Sequence, residues 1–223
     1  MTERETKAFI IRQLQILGQD ECIDALSAYL GDESLSGPAS RALAAIGSEN
    51  AGKALKAGLM RRMGTPKTQK DIIVAIGEAQ VADSEELLKA LLGSGDESMQ
   101  KAVLHSLSRV GSKASIKDMA EAAAASGYTM TKTNANEAYI ALLKRVAAQG
   151  DVKEVEKAAN DLLKKATKAN QTQTRDAALQ ILLSLKKENS TKLLLSALKD
   201  GNKEYRNVPF ALLCPTFLAN SLL

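Results

Sequence analysis

Few residues in this chain could carry out chemistry, and their spacing forms no catalytic or metal-binding motif. The one histidine, His105, stands among Val103, Leu104 and Leu107 in a helical pattern. Acid–base and zinc sites bring further His, Asp, Glu or Cys residues at fixed spacing, as in H-E-x-x-H or C-x-x-C. Because His105 has no such partners in sequence, we interpret it as part of a helix surface or of a contact between helices.

The remaining reactive groups lead to the same interpretation. Cys22 lies beside Ile23 on an apolar stripe, as a small buried hydrophobic residue does. Cys214 lies in the last predicted repeat, and helices stacked about 8–10 Å apart would hold the two thiols beyond the roughly 7 Å Cα limit of a disulfide. The acidic pair Glu85-Glu86 stands at a helix start, where it complements the helix dipole. We expect no catalytic residue, no metal site, no cofactor and no enzymatic activity.

Charge is unevenly distributed, although the formal net charge is only +4. Residues 1–111 contain 13 Lys and Arg against 15 Asp and Glu, whereas residues 112–223 contain 17 against 11. Lysines on solvated helix faces account for such a surplus, and a surface for an anionic partner is the alternative. The chain has no Trp and few aromatic side chains on which bases could stack, so nucleic-acid binding is the less favoured prediction.

A repeated element must position these residues. A signature of an aliphatic residue, two variable residues, a second aliphatic residue and glycine occurs at 14–18, 43–47, 73–77 and 107–111. Self-similarity at a period of about 30 residues is typical of stacked repeats, in which each unit buries its apolar face against its neighbours. The sequence therefore predicts a helical solenoid.

The apolar spacing predicts six antiparallel helix pairs. We call the first helix of each pair the A helix and the second the B helix. The predicted pairs cover 2–18 and 20–31, 38–46 and 50–63, 65–76 and 83–92, 97–110 and 112–125, 134–148 and 151–167, and 171–185 and 190–199. The longest predicted connection, 126–133, is where we expect a change of superhelical curvature.

Local signals mark the predicted helix ends. Ser/Thr/Asp/Asn-x-x-Glu sequences predict capping boxes that begin at Thr2, Asp83, Asn134 and Asp151. Prolines suit the first turn of a helix, where the missing N–H is harmless, at Pro38 and Pro66. The glycine of each signature predicts a left-handed C-cap, and this glycine is absent from the last two pairs.

The hairpins and their glycine stops resemble HEAT repeats of the short bacterial type, also called phycobilisome-lyase-like. The resemblance is carried by the signature and by the alanine-rich run from Ala39 to Gly47, followed by Ser48-Glu-Asn-Ala-Gly-Lys-Ala-Leu. It covers residues 5–200 and is strongest in the first four pairs. It implies an all-α fold, a right-handed α–α superhelix of about six antiparallel helix pairs, and a scaffold that binds proteins.

The resemblance also implies that the B helices line the concave face, where a partner would bind. Aligned B helices carry mixed charges in the first four pairs and mainly lysines in the last two. The candidate binding residues are Lys53, Lys56, Lys89, Lys117, Lys153, Lys157 and Lys192.

The sequence changes character after residue 202. The stretch from Val208 to Leu218 is apolar, and Pro209 and Pro215 exclude one regular helix through it. We predict a solenoid over 1–202 and an irregular or truncated cap over 203–223, with an additional domain beyond it as one option. No stretch approaches the roughly 20 apolar residues of a membrane span. With no visible signal peptide the default compartment is the cytoplasm, and a trimmed chain could be periplasmic or secreted.

Three functions stay open at this point. The leading hypothesis is a non-enzymatic scaffold that binds a protein or peptide on the concave face. The first alternative is the repeat segment of a larger multi-domain enzyme, which could be secreted. The second alternative is binding of a polyanion or nucleic acid through the basic C-terminal half.

Overall fold

The computed structural model describes residues 2–185 and 190–206, and this part of the chain contains helices and turns but no strand. Its α-helices are α1 Glu3–Leu17, α2 Ile23–Ser27, α3 Ser36–Ile46, α4 Glu49–Met60, α5 Pro66–Glu78, α6 Glu85–Lys89, α7 Glu97–Val110, α8 Ile116–Ala125, α9 Ala135–Ala148, α10 Val152–Lys168, α11 Thr172–Leu185 and α12 Ser190–Leu198. Odd numbers are A helices and even numbers are B helices. The all-α fold and the solenoid of helix pairs are thus confirmed, while the handedness of the superhelix stays a prediction.

The largest departures from the predicted helices occur in the B helices of the first and third pairs. Helices α2 and α6 have five residues each, whereas the sequence predicted helices over 20–31 and 83–92. In both, the backbone continues with hydrogen bonds three residues apart instead of four, as from Leu30 N–H to Ser27 O and from Leu92 N–H to Lys89 O. These tight turns replace the ends of the predicted helices.

The A helices form one continuous row. Helix α1 packs on α3, α3 on α5, α5 on α7, α7 on α9 and α9 on α11. Each of the first five B helices packs on the A helix of the following pair. The first aliphatic residue of the signature is fully buried at Leu43, Ile73 and Leu107, and so are Leu143 and Leu182 at the equivalent positions. The periodicity of the sequence therefore identifies the core of the row.

The signature glycines have three different roles. Gly47 adopts a left-handed conformation with φ of 64° and confirms the predicted C-cap. Gly77 is instead buried within α5, where a Cβ atom would lie 2.7 Å from the Cα atom of Ser106, so glycine permits the close approach of α7. Gly18 and Gly111 end their helices with φ of −70° and −59°. The prediction of a left-handed C-cap was therefore wrong for Gly18, Gly77 and Gly111. The chain is extended at Gly18 and Gly111, and at Gly77 the helix continues in close contact with α7.

The structure confirms the capping box at Thr2 and not the other three. The Thr2 hydroxyl accepts from the N–H of Glu5, and the Glu5 carboxylate accepts from the N–H of Thr2. Asp83 and Asn134 adopt left-handed conformations with φ of 55° and 53°, whereas an N-cap residue is typically extended. The Asp151 carboxylate accepts from a lysine of the preceding pair instead.

Both prolines lie in the first turn of an A helix, but at different positions. Pro66 lies in the first turn of α5, as predicted. Pro38 lies two residues inside α3, which begins at Ser36 because the Ser36 N–H already bonds to Asp32 O. The predicted start of that helix was therefore too late.

The connection after α8 is not helical over 126–134, as predicted for 126–133, and a residue of the sixth pair holds it in place. The hydroxyl of buried Thr174 donates to the carbonyl oxygen of Tyr128 at 2.7 Å. The same hydroxyl accepts from Asn136 Nδ2 at 2.8 Å. The predicted change of curvature at this connection stays a prediction.

The last described residues pack onto the sixth pair. Tyr205 is buried against Leu179 and Ala197. The guanidinium of Arg175 lies 3.9 Å from the centre of the Tyr205 ring and forms an ion pair with Asp200. Residues 203–206 of the predicted cap thus contact the solenoid. The rest of that cap, 207–223, which includes Cys214, lies outside the described residues, and the domain boundary stays a prediction.

Candidate protein-binding face

We call the exposed surface of the B helices the B-helix face. All seven candidate lysines lie on B helices, and most of them already have a partner within the chain. Lys53 pairs with Glu49 at 2.6 Å, and Lys56 donates to the carbonyl oxygen of Ala82 at 3.0 Å. Lys117 lies 4.0 Å from Glu121. Lys153, Lys157 and Lys192 are exposed.

Lys89 connects two successive B helices. Its Nζ lies 3.1 Å from a carboxylate oxygen of Glu86 on α6 and 3.4 Å from Asp118 on α8. The bond to Glu86 raises the pKa of Lys89, and the weaker opposing effect is burial. This lysine therefore joins neighbouring repeats as well as facing a groove.

The structure brings two of the candidates, Lys117 and Lys157, into one groove. This groove separates α8 from α10 and has a volume of about 960 Å³. Its apolar part consists mainly of small side chains, together with Tyr139, which is 3% exposed, and the half-buried Ile116. The other apolar lining residues are Ala120, Ala124 and Ala158. Small side chains between two helices leave room for an inserted apolar surface.

Charged side chains border this α8–α10 groove, and lysines outnumber acids. The lysines are Lys113, Lys117, Lys157, Lys164 and Lys165, and the acids are Glu121, Glu154 and Asp161. Lys113 pairs with Asp151 at 2.9 Å and Lys165 with Asp161 at 2.8 Å. Within the part of the chain that the structure describes, Lys157 and Lys164 form no ion pair. These two ammonium groups are thus available to a partner.

Two further grooves lie along the same face. The groove between α6 and α8 has a volume of about 860 Å³ and is lined by Lys89, Leu92 and Leu104 among others. A smaller groove of about 410 Å³ includes Lys53 and Lys56. The remaining candidates, Lys153 and Lys192, line none of these grooves. The predicted lysines are therefore distributed over several sites.

His105 is exposed and lies on the A-helix side, in a groove of about 440 Å³ between α7 and α9. Lys101, Arg109, Glu137 and Arg145 line the same groove. Over residues 2–185 and 190–206, no group of three or more His, Cys, Asp or Glu residues could hold a metal ion. Cys22 is partly buried and packs against the core, in agreement with its predicted packing role.

The Glu85 carboxylate joins the third pair to the fourth, a role that was not predicted from the sequence. Oε1 of Glu85 accepts from the N–H of Ser112 at 2.8 Å, from its hydroxyl at 3.1 Å and from the Ser115 hydroxyl at 2.5 Å. Burial alone would raise the pKa of Glu85, but these hydrogen bonds outweigh it and lower the pKa. The only signal in the sequence is the position of Glu85 about one repeat before the two serines, Ser112 and Ser115.

Two arginines that join successive A helices were also missed. Nε of Arg109 donates to Gly77 O at 2.9 Å, and Nε of Arg145 donates to Ser108 O at 3.0 Å. Each guanidinium thus bonds to a carbonyl group in the last turn of the preceding A helix, where cations are favoured. The signal was present in the sequence, since both arginines directly precede the second aliphatic residue of the signature.

Comparison with known families agrees with this architecture. Residues 58–140, from the second pair into the fifth, match the family of HEAT repeats. Residues 58–140 are therefore HEAT repeats, and the short bacterial subtype stays a prediction. HEAT repeats commonly serve as protein-interaction scaffolds and are generally not catalytic. The sequence matches no curated protein.

In the described ranges, no helix is both long enough and apolar enough to cross a bilayer.

Proposed function

We propose that this protein is a non-enzymatic scaffold that binds a partner protein or peptide on its B-helix face, in the α8–α10 groove. The observation that carries the proposal is an alanine-lined groove of about 960 Å³ between two helices, bordered by the ammonium groups of Lys157 and Lys164, which form no ion pair among the described residues. Its volume and lining suit the insertion of a further helix, as in other complexes in which an amphipathic helix occupies an apolar groove.

The lining also favours a particular kind of partner. A helix with small or aliphatic residues on one face would bury them against Ala120, Ala124 and Ala158. Acidic residues beside that apolar face would meet Lys157 and Lys164. Such opposite charges contribute mainly to specificity and to the association rate.

The polyanion alternative has less support. A phosphate backbone needs a continuous basic track, whereas Glu121, Glu154 and Asp161 interrupt the lysines of this groove. The remaining alternative, a segment of a larger enzyme, stays a prediction.

The proposal can be tested with helical peptides selected from a displayed library against the wild-type protein. Their Kd values are then measured by fluorescence anisotropy for the wild type, for Ala124→Arg and for Lys157→Glu. Ala124 is exposed in the groove, so an arginine there fills the groove while the core stays unchanged. We expect Ala124→Arg to weaken binding at least about 10-fold, a change of about 1.4 kcal/mol. Lys157→Glu should weaken chiefly the peptides that carry acids.

The matched control is Ala45→Arg, which places the same side chain at an exposed position of A helix α3. It should bind the selected peptides as the wild type does. Peptides that bind Ala124→Arg with unchanged Kd, or a library that yields only such peptides, would exclude the groove as the binding site.

A further inference from the structure

The groove between α7 and α9, which we call the α7–α9 groove, has a surplus of positive charge. Four basic side chains line it against a single carboxylate, that of Glu137. They are Lys101, His105, Arg109 and Arg145. Among the described residues, neither the lysine nor the two arginines form an ion pair. The groove therefore presents cations that an anionic ligand can pair with.

The nearby acids do not neutralise this charge. Glu97, at the start of α7, lies 3.5 Å from Lys132 instead. Glu78 meets Arg109 through its carbonyl oxygen, which lies 3.4 Å from Nη2 of the arginine. Glu137 is half-buried in the first turn of α9, where the helix dipole stabilises a carboxylate. The positive surplus thus belongs to the groove as a whole.

The two arginines are held in place before any ligand binds. Nε of Arg109 and Nε of Arg145 already bond to the carbonyl oxygens of Gly77 and Ser108. Nη2 of Arg145 is buried and has no hydrogen-bond partner among the described residues, which costs free energy. Burial lowers the pKa of Arg145, and the opposing effect of the Glu85 carboxylate is weaker. An anion in the groove would compensate this charge.

The spacing of the basic residues on α7 favours one kind of anion. Lys101, His105 and Arg109 are four residues apart, so neighbours on this face are separated by about 6 Å along the helix axis. In an extended peptide, side chains of alternate residues point to the same side and are about 7 Å apart. The two repeats match over three positions, a length that a single carboxylate or phosphate cannot span.

We infer that the α7–α9 groove binds an extended acidic peptide that has a carboxylate at every second position. Nucleic acid is a poorer match, because the described residues of the lining include no aromatic side chain on which a base would stack. The inference does not rest on the proposed function, since the α8–α10 groove is formed by other helices.

The test measures Kd by fluorescence anisotropy, at low ionic strength, for a labelled peptide with aspartates at three alternate positions. The same peptide with asparagines in their place is the reference. Lys101 is exposed, so Lys101→Glu leaves the packing of α7 unchanged. This variant should weaken binding about 10-fold, because it removes an attraction and adds a repulsion. Glu137→Gln should strengthen binding about 2-fold, because it removes a repulsion.

Lys153→Glu is the matched control, because it reverses the charge of an exposed lysine that lines none of the described grooves. It should change Kd less than about 2-fold, and Ala124→Arg in the α8–α10 groove should leave Kd unchanged. Equal Kd values for the aspartate and asparagine peptides would overturn the inference, as would equal weakening by Lys101→Glu and Lys153→Glu. Tighter binding of a single-stranded oligothymidylate would overturn it in favour of nucleic acid.

Discussion

The A helices and the B helices of this solenoid are built for different tasks. Each A helix packs on the next without interruption from α1 to α11, whereas grooves of about 860 Å³ and 960 Å³ separate α6 from α8 and α8 from α10. A continuous row buries apolar surface between repeats, and an interrupted row leaves surface for a partner. The comparison indicates that stability depends on the first row and recognition on the second.

Polar contacts follow the same division. In the A row, Ser106, Arg109 and Arg145 make buried or partly buried hydrogen bonds to the neighbouring helix. On the B-helix face several ion pairs are exposed and lie within one helix, as with Lys53 and Glu49. Three contacts on this face join successive pairs instead: those of Glu85 with Ser112 and Ser115, of Lys89 with Asp118, and of Lys113 with Asp151.

Among these predictions, Gly77→Ala in the A row should have the largest effect on stability. A Cβ atom there would lie 2.5 Å from the Ser106 hydroxyl and 2.7 Å from its Cα atom, so α5 and α7 must move apart. We expect the free energy of unfolding to fall by about 2 kcal/mol, as overpacking typically costs. Urea unfolding followed by circular dichroism measures this change.

Gly37→Ala is its control, because Gly37 also lies in an A helix but its new Cβ atom would meet nothing nearer than 3.4 Å. Alanine favours a helix over glycine by about 0.5–1 kcal/mol, so this variant should be neutral or more stable. Equal effects of the two substitutions would show that the A row is not closely packed at Gly77.

A smaller effect is expected for Glu85→Gln, and it should depend on pH. The pKa of Glu85 is lowered in the folded protein, so its carboxylate stabilises the fold above its ordinary value of 4.5, and this contribution is lost as the pH falls below that value. The variant should be less stable than the wild type by about 1 kcal/mol at pH 7, and the difference should shrink towards pH 3.

Urea unfolding at several pH values measures this difference, with Glu86→Gln as the control. Glu86 is the adjacent, exposed acid, and it pairs only with Lys89 among the described residues. Its substitution should change stability little at any pH. A constant difference between Glu85→Gln and the wild type from pH 7 to pH 3 would mean that the hydrogen bonds to Ser112 and Ser115 do not stabilise the charged form.

The smallest effect is expected for Lys53→Ala on the B-helix face. Its ion pair with Glu49 is exposed and lies within one helix, so its loss should cost less than about 0.5 kcal/mol. The thermal midpoint should therefore stay close to that of the wild type. A cost above 1 kcal/mol would contradict the assignment of stability to the A row, since the ion pair of Lys53 lies within B helix α4.

The sequence predicts the A row well and the B-helix face less well, for a physical reason. Leu43, Ile73 and Leu107 recur with the repeat because each must fill the same buried position, so periodicity identifies them. Helices α2 and α6 are partly exposed and end in tight turns, for which a stripe of apolar residues gives no signal.

Local motifs were less reliable where contacts between repeats decide the conformation. A glycine after an aliphatic residue indicates a left-handed cap at Gly47, but at Gly77 the same motif serves the approach of α7. The grooves depend on the separation of helices that are 30 or more residues apart, and this separation cannot be inferred from the residues of one helix.

The hydroxyl of Thr174 has a consequence for how the protein unfolds. It bonds at once to the connection before the fifth pair and to the first turns of α9, although it belongs to the sixth pair. In a simple repeat array each unit contacts only its neighbours, so unfolding can proceed from a frayed end one pair at a time. Here loss of α11 also releases the connection at Tyr128, so pairs five and six are expected to unfold as one cooperative block, with the fourth pair as its boundary.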